Sequence, residues 1–194
     1  GSLDYAEALA ETNKLLQKDR VIIYEAAVQQ DNFFVRTDIL IKDNDRIKLI
    51  EVKAKSVDFA SEDGFLNKSG AIIPAWHAYL YDVAFQKYVL MKAFPGYKVS
   101  AYLMMADKNA LCPTDGLNQK FKLSKNEQGR TFVTVSKDLS LEDLKMPILR
   151  EIQVDGCCDL IYSQPIEAGG KSYSFIDYAD LLSESYRNNN KLQM

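Results

Sequence analysis

The chain has 194 residues, 47% of them hydrophobic and 26% charged, a composition that is typical of a globular protein and excludes a disordered or fibrous one. Its net charge of -3 excludes the strongly basic balance of many nucleic-acid-binding domains, although a local basic groove remains compatible with it. No apolar run approaches the roughly 20 residues that span a bilayer and no signal segment opens the chain, so we expect a cytoplasmic protein with no membrane partner.

The first half of the chain carries the clearest pattern. It predicts a helix at Leu3–Lys18, strands at Val21–Val28, Phe33–Lys42 and Arg46–Lys55, a helix at Ala75–Ala93 opened by Pro74, and a strand at Tyr97–Ala106. The breaks between the first three strands are only four and three residues long, so these strands pair as consecutive antiparallel hairpins.

The pattern is weaker beyond residue 107. It predicts a hairpin of Gln119–Ser124 and Arg130–Ser136 around residues 127–129, a capping box at Ser140–Asp143 before a helix that Pro147 would end, a strand at Ser172–Ile176 and a helix at Asp177–Tyr186. We therefore expect an α/β fold with a mixed central sheet flanked by helices. Residues 1–194 would form one domain, with its core in residues 3–107 and peripheral additions in 108–194, as a fragment of a longer chain with further domains.

Antiparallel pairing brings four charged residues together. With the first turn centred near residue 31, facing positions sum to about 62 or 63, which sets Glu25 opposite Asp38 or the residue before it. With the second turn centred near residue 44, they sum to about 88 or 89, which sets Asp38 opposite Glu51 or the residue before it. Side chains alternate along a strand, so Lys53 projects on the same face as Glu51. All four residues are predicted to converge on one patch.

Carboxylates grouped in apolar strands repel one another and resist desolvation, so they need a cation or a proton nearby. An oxygen-only ligand set suits Mg²⁺ or Mn²⁺, and no His or Cys lies near enough in sequence to indicate zinc. The structural alternative is that Lys53 only forms an ion pair with Glu51 or Asp38 at a sheet edge.

The same residues resemble the motif of a known superfamily. An Asp at the end of a strand, a short hairpin, Glu-x-Lys in the next strand and a helix after it resemble the PD-(D/E)XK nucleases; here these are Asp38 and Glu51-Val52-Lys53. The resemblance covers about residues 3–107 and implies a restriction-endonuclease-like α-β-β-β-α-β core. It points to the RecB-like exonuclease branch, through an uncharacterised bacterial group. That branch carries a Gln on the following helix, here Gln86, and Leu90 replaces the Tyr expected four residues later.

This resemblance implies metal-dependent hydrolysis of DNA, by an exonuclease rather than a restriction-type endonuclease. Asp38 and Glu51 would hold Mg²⁺ or Mn²⁺, with the Val52 carbonyl as a further ligand and Glu25 completing the set directly or through water. Lys53 would orient and help deprotonate the attacking water, or stabilise the pentavalent phosphorane.

Several other residues carry weaker hypotheses. Asp82 lies one turn before Gln86 on the same helix face, so both amide and carboxylate can face the cluster, as substrate contacts or as packing groups. We expect His77 to be structural, and Trp76, Tyr79 and Tyr81 to belong to the core rather than to stack on bases. Candidates for DNA contacts are Lys55, Ser56, the segment Lys120–Lys125 and the loop Ser61–Gly70.

Two alternatives to the nuclease remain open from the sequence. One is a catalytically silent nuclease-like module that binds nucleic acid or a protein partner; the other is a sugar- or nucleotide-processing hydrolase that uses the same carboxylates. An iron–sulfur cluster is not expected, because no Cys precedes Glu25 and the adjacent Cys157 and Cys158 suit a single cluster poorly. With Cys112 as the third cysteine, a disulfide framework is not expected either.

Overall fold

The computed structural model describes residues 4–126, 129 and 131–190, which contain four α-helices and nine β-strands. In chain order these are α1 Tyr5–Leu15, β1 Arg20–Gln30, β2 Phe33–Asp43, β3 Arg46–Val57, α2 His77–Ala93, β4 Lys98–Asp107, β5 Phe121–Lys125, β6 Thr131–Val135, β7 Leu149–Gln153, α3 Asp155–Ser163, β8 Ile166–Ala168, β9 Lys171–Tyr173 and α4 Phe175–Arg187. Short 3₁₀ turns lie at Glu62–Phe65, Pro74–Trp76, Leu117–Lys120 and Glu142–Leu144.

Five strands form one mixed sheet in the order β1-β2-β3-β4-β7. The first two pairs are antiparallel. β4 runs parallel to β3, because Lys98 N binds Asp45 O near the start of both strands and Lys108 N binds Val57 O at their ends, each at 2.8 Å. α2 lies between these two strands in the chain, as the crossover that a parallel connection requires. The predicted α/β class and the mixed sheet flanked by helices are therefore confirmed.

The hairpin register agrees with the prediction from loop length. Facing residues sum to 63 along β1 and β2 and to 89 along β2 and β3. The two turns use Asp31 and Asn44 at positive φ, 52° and 53°. Asp and Asn tolerate this conformation better than most residues with a side chain, so both short breaks close tightly.

Side-chain caps explain where the helices begin. The Asp4 carboxylate accepts hydrogen bonds from the N–H groups of Ala6 and Glu7, so α1 begins at Tyr5; the predicted start at Leu3 lies outside the described residues. Pro74 opens a 3₁₀ turn that leads into α2, rather than the α-helix itself.

One predicted strand ends too late in the sequence analysis. The sequence predicts a strand at Ser172–Ile176, but Phe175 and Ile176 lie in α4. The Ser174 hydroxyl accepts the N–H of Asp177 at 3.1 Å and so caps a helix that begins at Phe175. The strand β9 is correspondingly short.

Contacts between residues divide the chain into two compact units. The first comprises the chain to Lys53, Phe59–Met104 and the chain from Glu151 onwards; the second comprises Ala54–Asp58 and Met105–Arg150. The first unit therefore includes late segments of the chain, beyond the predicted core at 3–107. Its core is formed by side chains of the sheet and of α2. The seven buried residues of α2 include the polar Gln86 and Lys87.

The element α3, which the sequence analysis did not predict, packs against α2 within the first unit. The Tyr162 hydroxyl donates to the Ala84 carbonyl at 2.7 Å, and Asp155 forms a 2.7 Å ion pair with the buried Lys87. Cys157 and Cys158 are buried in this helix as free thiols, and burial raises the pKa of both to about 12.

The second unit contains the hairpin of β5 and β6, which confirms the predicted pair of strands with shifted ends. Residues 127, 128 and 130 of the predicted turn and second strand lie outside the described residues. The capping box also forms, since Asp143 Oδ2 accepts the Ser140 N–H at 2.8 Å, but only a 3₁₀ turn follows it, at Glu142–Leu144.

In the part of the chain that the structure describes, no helix combines the length and the apolar character needed to cross a membrane.

Candidate active site

The candidate site begins where the pairing of β2 with β3 ends. The last paired residues are Ile39 and Ile50, and the next position along the register would set Asp38 opposite Glu51. There, Asp38 Oδ2 accepts the main-chain N–H of Val52 at 2.7 Å. The Asp38 carboxylate thus takes the place of a backbone acceptor at the point where the two strands separate.

Glu25 sits at an interruption of the first hairpin. Its neighbours in β1 pair with Ile39 and Thr37, but Glu25 itself is not paired with Asp38, and its φ of 56° lies in the left-handed region. This conformation costs a residue with a Cβ about 1–2 kcal/mol. The two-residue alternation of buried side chains also breaks here, because Ile23 is buried before Glu25 and the next buried side chain is that of Ala26.

The interruption changes where the Glu25 carboxylate points. Its Oε2 lies 3.2 Å from Arg36 Nε, and its side chain is largely exposed. Glu25 is therefore opposite Asp38 in the register, as predicted, but its charge is paired with Arg36 beside the cluster. Arg36 is a diagonal neighbour of Glu25 across the hairpin, but this spacing alone does not predict the left-handed backbone that directs the carboxylate to it.

Four side chains of β3 and α2 form a closed ring of polar contacts. Lys53 Nζ lies 2.7 Å from Glu51 Oε1 and 2.7 Å from Asp82 Oδ2. Gln86 Nε2 donates to Glu51 Oε2 at 2.9 Å and to Asp82 Oδ1 at 3.1 Å. Each carboxylate therefore bridges the same ammonium and the same amide. The prediction that Lys53 shares a face with Glu51 is confirmed, and Asp82 and Gln86 both face the cluster.

Gln86 has an unused acceptor inside this ring. The residue is 6% exposed, and its Oε1 is buried without a hydrogen-bond partner. A buried amide oxygen without a partner costs about 1–3 kcal/mol. A donor such as a water molecule or a ligand would remove this cost.

Burial is the main influence on the pKa of Glu51. It raises the pKa of Glu51 above its ordinary value; the hydrogen bonds from Lys53 and Gln86 act in the opposite direction, and the negative charge of Asp38 raises it further. Because the charge of Asp38 raises the pKa of Glu51, the two carboxylates lie close enough to repel each other.

Burial has the opposite effect on the pKa of Lys53, although the net shift is again upward. Burial alone would lower its pKa, but the hydrogen bonds to Asp82 and Glu51 together outweigh burial, and the pKa of Lys53 lies above its ordinary value. The ring of Tyr79 lies 5.7 Å from the ammonium, within range of a cation–π contact. The sequence analysis placed Tyr79 only in the core, since aromatic spacing on a helix does not indicate which ring meets a cation.

The donor set fits a hard divalent cation. Asp38 and Glu51 supply carboxylate oxygens and Val52 supplies a main-chain carbonyl, which are the ligand types of Mg²⁺ and Mn²⁺. Across the described residues, no group of three or more Asp, Glu, His or Cys side chains is arranged as a metal site. Mg²⁺ commonly uses one or two protein carboxylates, with water and substrate phosphate as its other ligands. The predicted cofactor stays a prediction.

Two cavities of the first unit flank this region without containing the ring. One, of about 300 Å³, is lined by Glu25 and Arg36 together with residues of α1. Another, of about 560 Å³, lies between the tip of the first hairpin, α2 and α4, and is lined largely by aromatic rings. None of the residues lining the second cavity belongs to the carboxylate cluster, so cavity size does not locate the candidate site.

The remaining predicted residues occupy ordinary positions. His77 is exposed, and its Nε2 lies 3.1 Å from the Ile72 carbonyl. Trp76 is buried among aromatic rings, as expected of a core residue. In the second unit, Lys120 is bound by Asp143 at 2.8 Å, so this lysine of the Lys120–Lys125 segment is already paired.

Comparisons of the chain with protein-family models, with curated proteins and with solved structures gave no significant match to any of the three.

Proposed function

We propose that this chain hydrolyses phosphodiester bonds of DNA in a Mg²⁺-dependent reaction, on a restriction-endonuclease-like core and as an exonuclease. The observation that carries the proposal is the ring in which Lys53 and Gln86 are each shared by Glu51 and Asp82, next to Asp38 at the separation of two strands. A purely structural ion pair needs one carboxylate, whereas this arrangement holds two carboxylates on one ammonium, with the Asp38 carboxylate near Glu51 as a third.

The order of the elements supports the same proposal. A helix, a three-strand meander, a crossover helix and a parallel strand occur in the order that the PD-(D/E)XK resemblance implies. Asp38 and Glu51 lie on the strands, and Gln86 on the helix, that the motif requires.

Asp38, Glu51 and the Val52 carbonyl would hold the ion. When bound there, Mg²⁺ would neutralise charge on the scissile phosphate and make water a better nucleophile. Asp38 is fixed for this role by the Val52 N–H, which orients its carboxylate from the main chain. Glu25 would act from outside this set, through water or by orienting Arg36.

Lys53 would act as a cation rather than as a base. Its raised pKa keeps the ammonium protonated at neutral pH, so of the two roles that the motif implies, stabilisation of the negatively charged phosphorane is favoured. Asp82 would hold the ammonium in place when Glu51 turns towards the ion, because Asp82 contacts both Lys53 and Gln86 by itself.

The test is cleavage of linear and of covalently closed circular DNA with and without Mg²⁺, by the parent chain and by Lys53→Met. We expect the parent to degrade linear DNA only with Mg²⁺, to spare closed circles, and to lose at least about 100-fold in rate in the variant. Lys98→Met, which removes an exposed lysine elsewhere in the first unit, serves as the matched control and keeps the parent rate.

The outcomes separate the alternatives. Cleavage of closed circles would replace the exonuclease by an endonuclease and leave the hydrolytic site intact. Equal residual cleavage in the parent and in Lys53→Met would contradict the proposal and favour the silent module. The silent module has support of its own, because both oxygens of Glu51 are already engaged by Lys53 and Gln86.

A further inference from the structure

The hairpin of the second unit has one apolar and one mostly polar face. Its register places Phe121 opposite Val135 and Leu123 opposite Val133, and these four side chains alternate onto one face. The other face carries Lys122 opposite Thr134, and Ser124 opposite Phe132. The pattern is that of a sheet built to cover something on one side.

The apolar face is exposed. The exposed fractions are 38% for Phe121, 76% for Leu123, 54% for Val133 and 50% for Val135. A two-stranded sheet is only marginally stable by itself and gains stability when its apolar face packs against another element. The described residues of its own unit leave most of this face open to solvent.

The face continues into the segment before β7. Leu144, Met146 and Leu149 are each about half exposed, and they line a 450 Å³ cavity together with Phe121. The seven side chains expose roughly 600 Å² of apolar surface, at the upper end of the largest patches that monomeric proteins carry. The hairpin face and this segment therefore form one continuous surface, here called the hairpin patch.

We propose that the hairpin patch binds the hairpin patch of a second copy of this chain. Two such surfaces packed face to face would bury about 1,200 Å² in total, which reaches the lower limit of specific interfaces. A two-stranded face can pack on its own copy about a twofold axis, as an isologous interface requires. The proposal does not depend on the nuclease activity.

Charge also favours a second copy over a charged partner. The four side chains that face one another in the hairpin patch are all uncharged, and Lys125, opposite Thr131, is the one charged residue on this face of the hairpin and lies at its end. The centre of the face therefore carries no charge that would repel a second copy. Beside the patch, Lys145 and Glu142 lie 3.3 Å apart and neutralise each other.

The test compares two glutamates on adjacent residues of one strand. Val133→Glu places a carboxylate on the hairpin patch, whereas Thr134→Glu places one on the opposite face, next to Lys122. Sedimentation velocity of the whole chain from 1 to 100 μM measures association of the parent and both variants. We expect the parent to dimerise in this range, Val133→Glu to weaken dimerisation at least tenfold, and Thr134→Glu to match the parent.

A monomeric parent at 100 μM would overturn the proposal, whether or not another protein binds the patch. A dimer that Val133→Glu leaves intact, or that both variants weaken equally, would overturn it too. Circular dichroism checks that each variant folds. If Val133→Glu does not fold, Leu123→Thr carries the same test, because that side chain is the most exposed of the four.

Discussion

Asp38 and Val52 lie on adjacent strands, and the Asp38 carboxylate accepts the Val52 N–H at 2.7 Å just beyond the last pair of the β2–β3 ladder. This hydrogen bond orients the Asp38 carboxylate from the main chain of the neighbouring strand, so the pairing of the sheet positions a residue of the candidate site. It also allows the structural role of Asp38 to be tested separately from its proposed role as a metal ligand.

Asp38→Asn and Asp38→Ala should differ in stability but not in activity. Asparagine keeps an oxygen that can accept the Val52 N–H, so we expect its free energy of unfolding to stay within about 0.5 kcal/mol of the parent; alanine removes the bond and should cost about 1 kcal/mol. Both variants should lose Mg²⁺-dependent cleavage, because both lack the carboxylate. Urea unfolding and the DNA cleavage assay measure the two effects. An asparagine variant that cleaves at the parent rate would remove Asp38 from the metal set.

Glu51→Gln should stabilise the protein at neutral pH when no divalent ion is present. The pKa of Glu51 is raised in the folded state, chiefly by burial, so the folded state binds a proton more tightly than the unfolded state. The stability that this tighter proton binding contributes is largest below the pKa of Glu51 in the unfolded state, near 4.5. It is lost as pH rises through the pKa of the folded state. Glutamine carries no charge and avoids the loss.

The measurement is the difference between the stability curves of Glu51→Gln and the parent from pH 4 to pH 8, in EDTA. The difference should grow in favour of the variant as pH rises. Glu142→Gln, at an exposed carboxylate in the second unit, should give no such trend. Added Mg²⁺ should then stabilise the parent and leave Glu51→Gln unchanged. A variant less stable than the parent at pH 8 in EDTA would show that ionised Glu51 contributes favourably to folding.

Asp155→Asn should destabilise the fold through its buried partner. Lys87 is 6% exposed and its ammonium lies 2.7 Å from Asp155 Oδ1, so the substitution leaves a buried charge uncompensated. We expect the free energy of unfolding to fall by about 3 kcal/mol. Asp45→Asn, in the exposed pair with Lys98, should change it by less than about 0.5 kcal/mol. Equal effects of the two substitutions in urea unfolding would contradict the assigned role of the buried pair.

The sequence predicted the register of the site because both hairpin loops are too short to allow another pairing. The relative positions of Asp38, Glu51 and Lys53 follow from the register of the two hairpins and from the alternation of side chains along a strand. The polar face of α2 was also predictable, since Asp82 and Gln86 are one turn apart. The contact of Asp82 with Lys53 and that of Gln86 with Glu51 depend on how the helix crosses the sheet, which no local sequence pattern contains.

Glu25 shows where such reasoning fails. Its left-handed backbone turns the carboxylate towards Arg36, and no glycine or turn residue marks the position. The sequence pattern does not indicate α3, because Asp155 at its start acquires the Lys87 ammonium and the Ala101 N–H as partners only when α2 and β4 pack beside it. Long-range contacts, rather than propensity, decide the second case.

The central claim is that Asp38 and Glu51 bind one divalent cation beside Lys53, and diffraction from crystals soaked in Mn²⁺ tests it most directly. The account predicts an anomalous peak about 2.1 Å from a carboxylate oxygen of each residue, with Lys53 kept in contact with Asp82. No peak at saturating Mn²⁺, with Lys53 still between Glu51 and Asp82, would contradict it.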